Sequence, residues 1–132
     1  MTIYMKLTRL TLTLVGATAL TLTLPAVSAM ASEASAQFQV TSTTDGRIKL
    51  GVRAFNKGDY AKSIRLNEAA LASKLSPKKS AIAYSNICAS HGALGHVAKA
   101  KEACAAALEL RSDYAPAQHN NKALSKVKPT KK

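Results

Sequence analysis

The chain has no tryptophan, two phenylalanines, two cysteines and only seven acidic residues against nineteen basic ones. With so few large side chains, a core must be built mostly from alanine, leucine and isoleucine. Phe38, Phe55, Tyr60, Tyr84 and Tyr114 are the only aromatics past the N-terminal segment that can add bulk. The catalytic vocabulary is missing too. There is no Gly-rich phosphate loop, no Gly-x-Ser-x-Gly and no pair of carboxylates at an active-site spacing. The three histidines lack sequence neighbours that would orient a base. These absences predict a protein that is not an enzyme and uses no cofactor. Neither Cys-x-x-Cys nor His-x-x-x-His occurs, so a metal site is not expected.

What is present begins with a targeting pattern. Lys6 and Arg9 precede an uncharged run, Leu10 to Leu24, and then Pro25-Ala26-Val27-Ser28-Ala29-Met30-Ala31. A basic start, a short apolar stretch and alternating small residues are what signal peptidase reads. Residues 1–31 are therefore expected to be a cleaved signal peptide, cut after Ala29 or Ala31. Met5-Lys6 is a more usual start than Met1. The uncharged run is shorter than the roughly 20 residues a spanning helix needs, and five threonines dilute it. A retained anchor is the competing reading. No cysteine lies near the cut, which excludes a lipoprotein. The expected location is the periplasm, with secretion as the alternative.

Removal of that segment leaves seventeen basic and seven acidic residues, a formal charge of +10. Such a balance favours an anionic surface or partner, and in an exported protein that means lipid head groups, lipopolysaccharide or acidic polymers rather than nucleic acid. The plain alternative is that lysines keep an alanine-rich surface soluble.

Residues 32–44 show no helical period and read as a flexible lead-in. From Asp45 the composition turns to Ala, Leu, Lys and Glu without strand-like alternation. Asp45 is expected to cap a helix running to about Asn56, followed by a turn at Gly58-Asp59. A second helix, about Tyr60 to Lys74, sets Ala61, Ile64, Glu68, Leu71 and Leu75 on one side. Pro77 marks a break. Ser80 is expected to cap a third helix reaching about His91. A fourth, Val97 to Leu110, presents Val97, Ala100, Cys104, Ala107 and Leu108. Asp113 is expected to cap the last helix, with Pro116 in its first turn. The helical domain spans 45–127 and a basic tail fills 128–132.

Two helix–turn–helix pairs of similar length align. Gly58-Asp59-Tyr60 matches Gly95-His96-Val97, and Leu50-Gly51 matches Ile87-Cys88, with small or polar residues at the same later offsets. Tyr84, Ile87, Cys88, His91, Ala100, Cys104, Ala107 and Ser112 stand where the tetratricopeptide repeat family places its signature residues. Arg47, Leu50, Gly51, Ala54, Ser63, Asn67, Ala70 and Leu75 form a poorer first copy. Over about residues 45–124 the chain resembles that family. The resemblance implies an all-α fold of two α-α hairpins plus a C-terminal capping helix, a short solenoid whose neighbours complete one core. It also implies a concave groove lined by the first helix of each unit. That groove maps to Lys49, Val52 and Asn56, then Ser85, Asn86 and Ala89, then His119, Asn120 and Ala123. Its expected occupant is a protein or peptide, because an asparagine amide donates to and accepts from a peptide backbone at once. The plainer role for Asn86 and Asn120 is to bond neighbouring helix backbone. The family's carboxylate clamp is not supported, since only Asn86 falls at a matching place.

Cys88 and Cys104 lie eight residues either side of His96, the turn of the second hairpin. Residues equidistant from such a turn face each other, and an exported compartment is oxidising, so a Cys88–Cys104 disulfide is expected. Two buried free thiols are the alternative. Metal ligation through Cys88, His91 and Cys104, or thiol exchange, has weaker support.

Overall fold

The computed structural model describes Glu33 and residues 36–130. The expected signal peptide, both cleavage sites and the tail end Lys131-Lys132 lie outside the described residues. Within them the protein is all-α, with five helices and no strand. Helix α1 is Gly46–Asn56, α2 Tyr60–Leu71, α3 Pro77–Ala93, α4 Val97–Leu110 and α5 Ala115–Ala123; one 3-10 turn, Leu124–Lys126, follows. Each of the first four helices packs on the next, and α5 lies against both α3 and α4. No helix among the described residues is long and apolar enough to cross a membrane.

Local chemistry explains most of the boundaries. The Asp45 carboxylate accepts from the backbone N–H groups of Arg47 and Ile48 at 2.9 and 3.2 Å, satisfying two donors that the first turn leaves over. Thr43 Oγ1 in turn accepts from Asp45 N at 3.1 Å, fixing the entry into α1. Asp45→Ala should lower stability by about 1 kcal/mol in a urea titration, with an unchanged denaturant slope. Both hairpin turns place a glycine in the left-handed region, Gly58 at φ 79° and Gly95 at φ 74°. Any other residue there would be strained. After Gly58, Asp59 caps α2 through Lys62 N; after Gly95, His96 makes no side-chain cap.

Three expectations need correction. Helix α3 starts at Pro77, not after Ser80, with Ser76 as its N-cap. Proline lacks an N–H and has a helical φ, so it suits the first helical position, and the residue it keeps out of the helix is Ser76 at ψ 154°. The cap of α5 is Tyr114 rather than Asp113; the exposed Asp113 carboxylate instead lies 3.9 Å from Nε of the partly buried Arg111. The third concerns α2, whose buried face is Tyr60, Ser63, Ile64, Asn67 and Ala70, leaving Ala61 and Glu68 exposed. Large apolar residues do not mark that face because α1 and α2 meet closely at Gly51. A Cβ on Gly51 would stand 3.3 Å from Asn67 Cγ and 3.4 Å from Ser63 O. The amide that fills this space is satisfied by Ser63 O at 2.8 Å.

Cys88 and Cys104 are both fully buried and joined, with Cα atoms 5.2 Å apart, so the disulfide ties the middle of α3 to the middle of α4. Ala89, Ala100 and Ala103 surround it together with Phe55, Tyr60 and Ile87. These small side chains permit the close approach but contribute little apolar area of their own.

Candidate functional site

Part of the lead-in before α1, expected to be flexible from its composition, is hydrogen-bonded to the helices at Gln37, Gln39 and Thr41. From Phe38 to Thr43 it forms no regular secondary structure and is laid across α5 and α3. Asn120, on α5, accepts from Gln39 N at 2.7 Å and donates back to Gln39 O at 2.8 Å. Asn86, on α3, does the same with Thr41, accepting from its N–H at 2.8 Å and donating to its carbonyl at 2.9 Å. Each amide thus closes a ring with one residue's backbone, and the two clamped residues are two apart, the repeat of extended chain. His119 adds a contact from its Nε2 to Gln37 O at 3.1 Å. Sequence composition misses this because the pinning groups are far along the chain. One signal was available: Phe-Gln-Val-Thr alternates apolar and polar residues in an otherwise featureless stretch.

The amides are held before they reach the segment. Asn120 Nδ2 also donates to Ser85 O at 3.2 Å and approaches Ser85 Oγ at 3.3 Å. Asn86 Nδ2 also meets Asn67 Oδ1 at 3.3 Å. Ser90 Oγ ties Asn86 O and Ser63 Oγ together at 2.8 and 3.0 Å. Asn67, Asn86, Asn120, Ser63 and Ser90 are all fully buried, so this network is a polar seam through the helices rather than a solvated surface. Asn120 thus bonds the backbone of a neighbouring helix and Asn86 a side chain of one, while both also hold the chain's own lead-in.

The apolar part of the site is a notch at Gly92. The Phe38 ring is buried there, and a Cβ on Gly92 would stand 2.7 Å from Phe38 Cε1 and 3.0 Å from Leu124 Cδ2. Gly92→Ala should therefore expel the ring and lower stability by about 1 kcal/mol, read from urea unfolding, and a Phe38→Ala background should remove most of that loss. Val40 packs partly buried against the same cluster. Of the other residues expected to line a groove, Ser85 is buried beside Asn120, while Lys49 and Asn56 are exposed on α1 and make no hydrogen bond to the segment. Tyr114 closes the floor near Thr41. Burial pushes its phenol up, against the pull of Thr41 and of the Arg111 guanidinium, which lies 4.8 Å from the ring centre. Its hydroxyl approaches Thr41 without reaching hydrogen-bond geometry.

The shallow depression beside Gln37 is lined by His119, Lys122 and Lys126, and the adjoining one by Lys126 and Lys128, with no acidic side chain in either. The N-terminal end of the clamped segment therefore lies in a positive field.

A second cluster sits at the turn of the disulfide hairpin, where His91 Nδ1 and His96 Nδ1 are 3.4 Å apart. Burial first, then His96 and Lys99, hold His91 below the ordinary histidine value of 6.5, with Glu102 acting weakly the other way. A lowered folded-state pKa means the unfolded chain binds the proton more readily. The stability held above pH 6.5 should fall as pH drops through and below that value, then level off once the folded state is protonated. Urea unfolding at pH 7.5 and pH 5.5 measures this, and His91→Gln should flatten the difference. Among the described residues no group of three or more His, Cys, Asp or Glu side chains is placed to hold a metal ion. Neither protein-family models, nor curated proteins, nor solved structures give a match to this chain.

Proposed function

We propose that this chain is an exported, periplasmic, non-catalytic interaction module built from two tetratricopeptide-like hairpins and a closing helix, which takes an extended protein segment in its groove. One observation carries the reading: Asn86 and Asn120 each hold both backbone groups of one residue in an extended chain. Such pairing reads a backbone rather than a side chain, which is how a groove accepts peptide. The buried Cys88–Cys104 disulfide suits an oxidising compartment, in agreement with the signal-like N-terminus.

A photo-crosslinking residue placed at exposed His119 should trap a specific envelope protein in cells, while the same residue at Lys101 on α4 should not. Equal patterns from the two positions, or no adduct at 119, would contradict it. The cationic rim of Lys122, Lys126 and Lys128 favours a second reading, a basic binder of anionic envelope polymers or lipids. That reading requires binding to acidic vesicles at low salt that weakens steeply as salt is raised.

A further inference from the structure

We infer that residues 37–41 occupy the groove as an internal stand-in for the partner's peptide, and that the partner segment is extended, with an aromatic anchor, uncharged residues after it and acidic residues before it. The inference rests on the proposed peptide-binding role and names its ligand and its regulation.

The hold on the segment is of a kind that another chain can reproduce. Its four clamping hydrogen bonds all go to the backbone of Gln39 and Thr41. A foreign backbone offers the same groups. Side-chain selectivity resides mainly in the Gly92 notch, which takes the Phe38 ring and has no room for a Cβ of its own. The side chain of Gln39 is exposed and imposes no requirement. Residues 37–44 carry no charge, although the rim beside Gln37 is lined by Lys122 and Lys126. Acidic residues ahead of the anchor would gain an attraction that Ala36 and Gln37 do not use. The segment is therefore a neutral occupant of a site whose surroundings favour a more acidic one.

Release is also separable from unfolding. The segment is attached to the helices covalently only through its exit into α1, whereas α3 and α4 are tied by the disulfide. Its release exposes the Phe38 ring and the two asparagines but leaves the bridged helices in place, a local opening that costs less than global unfolding. While attached, the segment competes at a millimolar-scale effective concentration, so a free peptide meets a mostly closed groove.

The test uses the chain from Ser32, which keeps every described residue, and a fluorescein-labelled peptide Asp-Glu-Asp-Phe-Gln-Val-Thr-Ser followed by anisotropy. Gln39→Pro removes the N–H that Asn120 accepts and touches no helix. It should bind the peptide at least tenfold more tightly than the unaltered chain. Replacing the three leading acidic residues of the peptide by lysines should cost at least tenfold, and Asn120→Ala added to Gln39→Pro should abolish binding. A Gln39→Pro chain with native helical circular dichroism and no gain in affinity overturns the inference. So does a gain that ignores the peptide's charge. Should Gln39→Pro fail to fold, hydrogen exchange on the unaltered chain decides: the Gln39 and Thr41 amides must open at lower denaturant than those of α3, and exchange only on global unfolding overturns the inference. Light scattering that finds a dimer with exchanged segments would give the groove to a second copy instead. Peptide binding without an adduct from position 119 removes the envelope partner but leaves the groove chemistry intact. An adduct without peptide binding does the reverse.

Discussion

Replacing Cys88 and Cys104 together by alanine is expected to lower the unfolding free energy by about 3 kcal/mol, the value of a cross-link between cysteines 16 residues apart in the chain-entropy account. The loss should be felt strongly because the fold has little else to hold it. About eighty residues bury a modest fraction of their surface, and the side chains around the bridge are largely alanine. The alanine pair strands no hydrogen-bond donor, since the bridged Cys104 Sγ beside Ala117 O carries no proton, so the change isolates the cross-link. Urea unfolding of the oxidised chain and the double variant measures it. Reductant should bring the unaltered chain down to the variant and leave the variant unmoved. Equal stability of oxidised and reduced chains would mean that helix packing, not the bridge, fixes α3 against α4.

Asn120→Ala is expected to cost about 2 kcal/mol. The substitution strands the Gln39 N–H and carbonyl, while Ser85 O lies inside α3 and keeps its helical acceptor role, and groups buried without partners cost about 1–3 kcal/mol each. The full sum does not appear, because the segment can lift off and return Gln39 to water. The loss is then capped by the free energy of seating residues 37–41. Asn120→Asp should be worse, since a carboxylate keeps the acceptor but faces Gln39 O and Ser85 O with no proton to donate. Losses from Asn120→Ala and Phe38→Ala should be strongly non-additive, because either one frees the same segment. Full additivity in a double-mutant cycle would separate the amide from the segment.

Local signals made part of this fold readable. Helices α1 and α4 run where the cap at Asp45 and the Gly95 turn place them, because those signals act over three or four residues. The facing cysteines follow from their symmetric distance to the same turn. The buried face of α2 is not readable as an apolar stripe, since Ser63, Asn67 and Ala70 are buried by close approach and hydrogen bonding rather than by size. Pro77 is ambiguous in one dimension, as a breaker for the residue before it and a starter for the helix after it. Asn86 and Asn120 stand out in the sequence, but the segment they hold does not. Residues 37–43 have weak local preference, and their conformation is set by side chains 45 and 81 positions away. Lys49 and Asn56 fall on the expected helix but stay in solvent, because the segment turns at Thr43–Asp45 into α1 before reaching them.

Two buried asparagines, Asn86 and Asn120, hold both backbone groups of Thr41 and Gln39. Amide hydrogen exchange at Gln39 and Thr41, resolved by NMR on the chain from Ser32, tests this hold most directly. Both amides should be strongly protected in the unaltered chain. Asn120→Ala should release Gln39, Asn86→Ala should release Thr41, and the helical amides of α4 should stay protected in each. Exchange at Gln39 and Thr41 as fast as in a free peptide, or protection unmoved by either substitution, would contradict the account.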